Sequence, residues 1–565
     1  MYFLEKKKLE IINAVNKILE QELVDASDIK YPPKREWGDI FLACFKLHKY
    51  SGMDIDFANN LTKELDKDGI KATPAGSYIN FTIINKELLA KEVISEINNN
   101  LDYGKNDASQ KKTIMIEFSN GNTHKETHIG HIRNITYGDA VSKILTANGN
   151  EVIPVSYIND FGIHVAKTLW ALDKFYKNVE AGENKGFFLG QVYVRACEEL
   201  KNNEEMNSEV GEVMKRIEAR EGDNYSKWNE TRLWTIKQLE KIYNDLNIKF
   251  QKTYYESEVV DEGKKLVDNY LSKGIFTESQ GAIIADLEKY ALGVLVVIRK
   301  DGTALYPVAD LALAEKKFND FNIDESIYVV DIRQGQYFKQ LFRVLELAGY
   351  KKEMIHLGYD FVKLPSGMMS SRTGNVITYE ELKDKMMAKT IEETKNRHTD
   401  WNEEKVKETA RKISIGAIKF EMVKVGADAV ITFDMEKALR FDGYTAAYIQ
   451  YTYARINSIF RKADTDLDYS QIDFALLKED KEKCIIMQLA KLPETVKKSG
   501  DNFNPSEIAK YLFELCQIVN DYYHAFPVLK EEENIKIARL AMLDAANHVI
   551  ANGLGLLGIE TMEEM

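Results

Sequence analysis

A chain of 565 residues that is 44% hydrophobic and 10% aromatic carries enough apolar material for two to four cored domains, which excludes a disordered or fibrous protein. Its formal net charge of −13 argues against non-specific adhesion to nucleic acid and confines phosphate contacts to local patches. The four scattered cysteines (Cys44, Cys197, Cys484, Cys516), an apolar run at 291–298 far short of a membrane span, and a start that runs straight into Glu5-Lys6-Lys7-Lys8 predict a reduced, cytoplasmic protein without a leader or membrane partner.

In chain order, residues 1–104 read as a small α+β unit. Helical spacing covers 3–23, 40–49 and 57–65, and 76–83 alternates apolar and polar residues as a strand does. The polar stretch 98–112 reads as a linker. Over 105–400 strand-like runs at 113–118, 152–157, 294–298, 326–331 and 354–358 are interrupted by a charged helical insertion over about 165–290. That order predicts an α/β fold with a doubly wound parallel sheet of the Rossmann type. Ligands would sit at the carboxyl ends of strands, where Phe118, Tyr157 and Asp331 fall. Over 401–565 proline is almost absent and apolar residues recur at three and four, so an all-α bundle is expected. Asn504-Pro505-Ser506 marks a helix start, with Tyr511, Leu512, Leu515, Val519 and Tyr522 on one side. The stretch 553–558 matches the dinucleotide fingerprint G-x-G-x-x-G. It follows a helical run close to the end of the sequence and leaves no room for a βαβ unit, so it reads as a packing turn.

The densest chemistry lies at His128-Ile129-Gly130-His131. A β-like run precedes it, and a helical run to about Leu145 follows, with Asn148-Gly149 as the stop. Where a strand hands over to a helix, free backbone N–H groups and the helix dipole favour phosphate. His128 and His131 can donate hydrogen bonds to a polyphosphate there, and Gly130 leaves room for a flat ring against the backbone. The tetrapeptide alone also fits capping or packing histidines. A metal cluster of His124, His128 and His131 fits less well, because His124 precedes the helix and no cysteine is near, so no metal site is expected.

The wider stretch TIMIEFSNGNTHKETHIGHIRNITYGD, residues 113–139, resembles the ATP-binding signature of class I aminoacyl-tRNA synthetases. Glu117-Phe118-Ser119, Asn122 and Lys125 make it similar to arginyl-tRNA synthetases in particular. Met368-Met369-Ser370-Ser371-Arg372 resembles the second class I signature, a mobile phosphate-contacting loop. Gln450-Tyr451 with Ala454-Arg455 resembles that family's helical anticodon-binding domain. The resemblance runs in the family's order from about residue 30 to Met565.

It implies an arginine–tRNA ligase. The carboxylate of L-arginine would join the α-phosphorus of ATP, with Mg²⁺ accompanying the nucleotide, and the arginyl group would then pass to the 3′-terminal adenosine of tRNA(Arg). Such transfer asks for positioning and charge rather than a covalent nucleophile. By resemblance, ATP would meet His128, Gly130, His131, Met369, Ser370 and Ser371. The usual second signature is Lys-Met-Ser-Lys-Ser. Here Met368 and Ser371 replace the lysines, so the missing charge is expected from Lys125 or Arg372. Arginine itself would meet Glu117, Asn122, Tyr306, Asp310 and Gln334, with Glu256 second to them. A carboxylate can take a guanidinium through two parallel hydrogen bonds. By position alone, Asp310 also reads as an ordinary first-turn acid stabilised by the helix dipole. In Asp160-Phe161-Gly162 phenylalanine stands where the family has tryptophan, so an N–H donor is lost.

Between Lys437 and Ala463 there are five Lys/Arg, one acid (Asp442) and four tyrosines. Tyr444, Tyr448, Tyr451 and Arg455 would share one helix face. Most of such a stripe is core, and one or two of its residues would reach the anticodon loop. The family adds Tyr522, Tyr523 and Met565 as neighbours of that loop. Trp37-Gly38-Asp39 and the strand at 76–81 resemble the family's extra N-terminal domain, which touches the outer corner of tRNA. A docking domain without RNA contact is the alternative. A monomer is usual for the family. Competing readings are a class I synthetase for another amino acid, a small-molecule nucleotidyltransferase, and a non-catalytic RNA-binding relative.

Overall fold

The structure, a computed structural model, describes residues 1–44, 55–66, 69–108, 110–365, 367 and 376–565. The N-terminal unit comprises α1 (Phe3–Leu19), β1 (Ile29–Lys30), β2 (Ile40–Ala43), α2 (Ile55–Leu65), β3 (Ile70–Ala75), β4 (Tyr78–Ile83) and α3 (Lys86–Asn98). Its antiparallel sheet has the order β1-β2-β4-β3. β4 buries every second residue, Ile79, Phe81 and Ile83, as its alternation requires. The helix expected over 40–49 is instead the strand β2 over its first four positions, pairing with β4 and burying Ile40 and Leu42. Residues 45–49 of that expectation lie outside the described residues. A short apolar run cannot be assigned by period, and the partner strand decided it.

The stretch after α3 is not a loose tether. Tyr103 is buried, the Asn106 amide N–H donates to the Ala147 carbonyl at 2.7 Å, and its side chain donates to Asn148 Oδ1 at 2.8 Å.

The body follows as β5 (Thr113–Glu117), α4 (Ile129–Ala147), β6 (Glu151–Ile158), α5 (Ile163–Phe175), α6 (Lys185–Glu199), α7 (Glu204–Glu218), α8 (Gly222–Asp245), β7 (Lys252–Tyr255), α9 (Val260–Ser272), β8 (Thr277–Ser279), β9 (Ala282–Asp286), β10 (Val294–Ile298), α10 (Tyr306–Asp320), β11 (Glu325–Asp331), α11 (Gly335–Leu347) and β12 (Glu353–Tyr359). Five strands form one parallel sheet in the order β12-β11-β5-β6-β7. The winding reverses between β5 and β11, and such a switch point opens a crevice at the carboxyl ends of the strands.

Two expectations fail here. Residues 294–298 are not in the parallel sheet; β10 belongs to a separate antiparallel sheet β10-β9-β8. The fifth parallel strand is β7, so the unbroken helical insertion ends at Asp245, and the rest of the span 165–290 carries β7, α9, β8 and β9.

Helix α4 is buried on nearly all sides. A Cβ on Gly138 would fall 2.3 Å from the Phe118 ring, so glycine lets helix and first strand close up. Asn134 accepts the Ser119 N–H at 2.5 Å and donates to the Val329 carbonyl at 2.7 Å, tying the exit of β5 to β11. The buried Arg133 guanidinium donates to five backbone carbonyls, those of Asp360, Phe361, Gly426, Ala427 and Ala429, at 2.7–3.3 Å.

Beyond the sheet lie β13 (Val362–Lys363), α12 (Tyr379–Arg397), α13 (Glu403–Val423), β14 (Ile431–Thr432), α14 (Met435–Ala438), α15 (Ala446–Ala463), α16 (Asp480–Leu489), α17 (Leu492–Asp501), α18 (Ser506–Ala525) and α19 (Glu533–Leu556). The glycine fingerprint falls inside and just after α19, with no strand before it. The N-terminal unit docks on this bundle through Lys483–Asp39 at 2.6 Å, Lys8–Glu494 at 2.7 Å and Lys86–Asp480 at 2.8 Å. Asp39 of the Trp37-Gly38-Asp39 motif is therefore a docking residue, while Trp37 stands exposed under Lys34. Among the described residues no helix is long and apolar enough to cross a membrane.

Candidate active site

β5 ends at Glu117, and the loop after it turns back into α4 with His128 as the residue that caps the helix. His128 Nδ1 accepts the Gly130 N–H at 3.1 Å, and His131 Nδ1 accepts the His128 N–H at 3.2 Å. The two rings lie 3.9 Å apart between centroids. Burial, and then the nearby Lys125 ammonium, push His128 down to about 4. Burial, His128 and Lys125 hold His131 well below its ordinary value. Both imidazoles are therefore neutral, and because each Nδ1 is an acceptor, each carries its proton on Nε2 as a donor. A Cβ on Gly130 would sit 2.9 Å from His128 Cε1, so the ring this glycine admits is that of His128 itself.

Lys125 stands 5.1 Å from the ring centroid of Tyr193, a residue of α6, so the helical insertion helps to place it. Sequence reasoning missed His164, which shares this corner; burial and then Lys125 hold it well below its ordinary value. His124 is a buried structural residue bonded to Thr123 and Thr231 at 2.9 and 2.8 Å. Met368, Met369, Ser370, Ser371 and Arg372 lie outside the described residues.

A cavity of about 190 Å³ opens at the carboxyl ends of β5, β11 and β12, lined among others by Asn120, Asn122, His131, Asp331 and Gln334. Asn120 donates to Glu117 at 3.0 Å, leading to a cluster of four acids behind the cavity. Two of them have cations: Glu117 pairs with Lys317 at 2.6 Å and Asp160 with Arg232 at 2.7 Å. Asp160 also accepts from the Ser257 N–H and hydroxyl at 2.9 and 2.8 Å. Among the described residues the other two, Glu256 and Asp310, have no cation at ion-pair distance. Burial, then Asp310 and Asp160, push Glu256 up to about 8. Burial pushes Asp310 up to about 7, with Glu117 adding to it, although the Tyr337 hydroxyl donates to it. The Tyr157 hydroxyl, pushed well up by burial, feels all four acids. Carboxyls held in this way take up a cation readily, because the cation supplies the missing counter-charge.

Glu256 sits just past β7, and the unpredicted strand explains why it ranked below the others. Tyr306 does not join the cluster; it is 73% exposed at the first turn of α10, one turn before Asp310. Phe161 packs edge-on against Trp228 at 5.9 Å between centroids, and the Trp228 indole N–H donates to the Asp160 carbonyl at 2.7 Å.

In the bundle, Tyr444 lies before α15, whose N-cap is Thr445, so the expected four-residue face loses its first member. Asn520 donates to Tyr448 Oη at 3.1 Å and accepts from Arg455 at 2.8 Å. The Arg455 guanidinium lies 5.3 and 5.4 Å from the rings of Tyr451 and Tyr523. Tyr522 points the other way: it is fully buried, and its hydroxyl donates to Glu482 at 2.8 Å, so it presents nothing to a ligand. Met565 is half-buried against the bundle.

A reversing parallel sheet with a histidine-capped turn at its switch point, joined to a helical bundle, is the architecture of the class I aminoacyl-tRNA synthetases. Residues 92–435 match the family described as tRNA synthetases class I (R), catalytic domain, and residues 449–565 match the DALR anticodon binding domain. The chain is 35% identical to an arginine–tRNA ligase of Bdellovibrio bacteriovorus, over 94% of this chain and 93% of that one. It is 32% identical to one of Clostridium acetobutylicum, over 99% and 100%. The solved arginyl-tRNA synthetase of Thermus thermophilus superposes with a TM-score of 0.81 at 26% identity, over 99% and 100% of the two chains. The chain belongs to the arginyl-tRNA synthetase family.

Proposed function

We propose that this chain is an arginine–tRNA ligase that forms arginyl-adenylate from L-arginine and ATP and passes the arginyl group to the 3′-terminal adenosine of tRNA(Arg). The observation that carries the substrate choice is the pair Glu256 and Asp310, two half-buried acids with no cation at ion-pair distance among the described residues, which connect through Glu117 and Asn120 to the cavity that His131 lines. A guanidinium supplies the counter-charge with which both can ionise; a neutral amino-acid side chain supplies none and leaves them protonated.

In this reading the Nε2–H groups of His128 and His131 donate to the ATP phosphates across Gly130. Lys125 and Arg372 supply charge, Met369, Ser370 and Ser371 contribute from the second signature, and Mg²⁺ arrives with the nucleotide. Asp310 and Glu256 take the guanidinium. Asn122 and Gln334 hold the rest of the amino acid, Glu117 acts behind them through Asn120, and Tyr306 closes over it from outside. Tyr448, Tyr451, Arg455, Tyr523 and Met565 form the tRNA-facing side of the bundle. The working division is 1–104, 105–400 and 401–565, in a cytoplasmic monomer. ATP–pyrophosphate exchange with each amino acid, with and without tRNA, tests the reading: exchange with arginine alone among them supports it. Exchange with another amino acid, or with none under any pairing, removes it.

A further inference from the structure

Lys317 lies two turns beyond Asp310 on α10 and is fully buried. Its ammonium sits 2.6 Å from Glu117 Oε2 and 4.0 Å from the ring centroid of Tyr328. Glu117, only 2% exposed, uses its other oxygen to accept the Asn120 side chain at 3.0 Å, and Asn120 lines the cavity. A buried lysine beside a pocket for a cationic substrate is a like charge, and it needs a reason to be there.

The distribution of pairs supplies that reason. Of the four acids around Tyr157, Arg232 covers Asp160 and Lys317 covers Glu117, which leaves Glu256 and Asp310 for the ligand. Without the Lys317 ammonium, Glu117 would be a third unpaired carboxylate in reach of the same guanidinium. It lies at the end of β5, hydrogen-bonded to Asn120 of the cavity wall, so a guanidinium drawn to it would be drawn away from Asp310.

We propose that Lys317 is a positioning residue for arginine recognition: it fixes the Glu117 carboxylate against Asn120 and so reserves the substrate guanidinium for Asp310 and Glu256. This rests on the arginine reading above.

The test is the KM for arginine and for ATP in pyrophosphate exchange with the full chain, because KM is independent of the fraction of folded enzyme. Lys317→Met should raise KM for arginine at least tenfold and leave KM for ATP within twofold. Lys317→Arg, which keeps the charge, should stay within about threefold of the wild type for arginine. The double variant Lys317→Met/Glu117→Gln removes the competing carboxylate. Its KM for arginine should not exceed that of Glu117→Gln alone, which leaves the Lys317 ammonium bare, and should lie below that of Lys317→Met.

An unchanged arginine KM in Lys317→Met, a parallel rise in ATP KM, or a double variant whose defect is the product of the two single ones overturns the proposal. If Lys317→Met yields no folded protein, the double variant against Glu117→Gln decides it alone: a KM several-fold higher in the double variant overturns it. Should the wild type show no arginine-dependent exchange at all, the functional reading fails first; robust wild-type exchange with unaffected variants sinks only the role of Lys317.

Discussion

The histidine turn and the acid cluster share the carboxyl edge of one sheet and store charge in opposite ways. At the turn, burial strips His128 and His131 of charge, and backbone N–H groups fix which nitrogen carries the proton, so the site offers oriented donors whatever the pH near neutrality. In the cluster, burial and crowding make Glu256 and Asp310 reluctant to ionise, so the pocket is completed only when a ligand brings positive charge. A polyphosphate already carries its charge and needs fixed dipoles, whereas a guanidinium recognised by desolvated acids must offset their repulsion.

The sharpest break of that contrast is Asp310→Asn, which keeps size and removes charge. Losing one side of a desolvated charge contact costs about 3–5 kcal/mol, so kcat/KM for arginine should drop by roughly 10²–10⁴ while KM for ATP holds. Exchange kinetics read both, and an unaltered arginine KM would remove Asp310 from the pocket. His131→Ala should do the reverse. One preorganised donor is worth roughly a hundredfold in kcat, with arginine KM unchanged.

The pH response separates the two regions without mutation. A guanidinium pairs with ionised carboxylates, so binding lowers the raised values of about 7 and about 8 and releases protons. Below those values arginine affinity should therefore fall, by about tenfold per pH unit for each protonated group. The histidines, His128 at about 4 and His131 held well below its ordinary value by burial, stay neutral from pH 8 to 6 and contribute nothing to that fall. Calorimetry in buffers of different ionisation enthalpy measures the released protons, and a flat affinity from pH 8 to 6 would erase the contrast.

The smallest effects lie in the bundle. Tyr523→Ala should raise KM for tRNA by an amount worth about 1 kcal/mol, the low end for a ring that stacks on a base. Tyr522→Phe should lower thermal stability, by about 1 kcal/mol for one lost hydrogen bond, and leave KM for tRNA alone. Equal tRNA defects in both would contradict the buried placement of Tyr522.

What the sequence revealed followed from local rules. The β5–turn–α4 unit was readable because an apolar strand, a histidine-bearing cap and an Asn-Gly stop lie in one continuous stretch, and the switch-point rule then located the cavity. Residues 252–255 gave no such signal: Lys-Thr-Tyr-Tyr is short, and only its neighbour β6 makes it a strand. Missing β7 left Glu256 without a place, which is why the second acid of the pair ranked below Asp310. Val294–Ile298 misled in the other direction. Its five apolar residues look like a buried parallel strand, yet Val294 and Val296 face solvent in a small antiparallel sheet. The pairs Lys317–Glu117 and Arg232–Asp160 join residues 200 and 72 positions apart, beyond the reach of any local pattern.

The five carbonyls gathered by Arg133 bear on whether this enzyme can be divided. Three of them, from Gly426, Ala427 and Ala429, belong to the far side of α13, well past the strands of the sheet. A fragment ending near residue 400 would leave those donors of a buried guanidinium bare, at about 1–3 kcal/mol or more for each lost partner, two residues from His131. The α/β half is thus not a module that can be excised at the seam its sequence suggests; the frame of the histidine turn continues into the first helices of its neighbour.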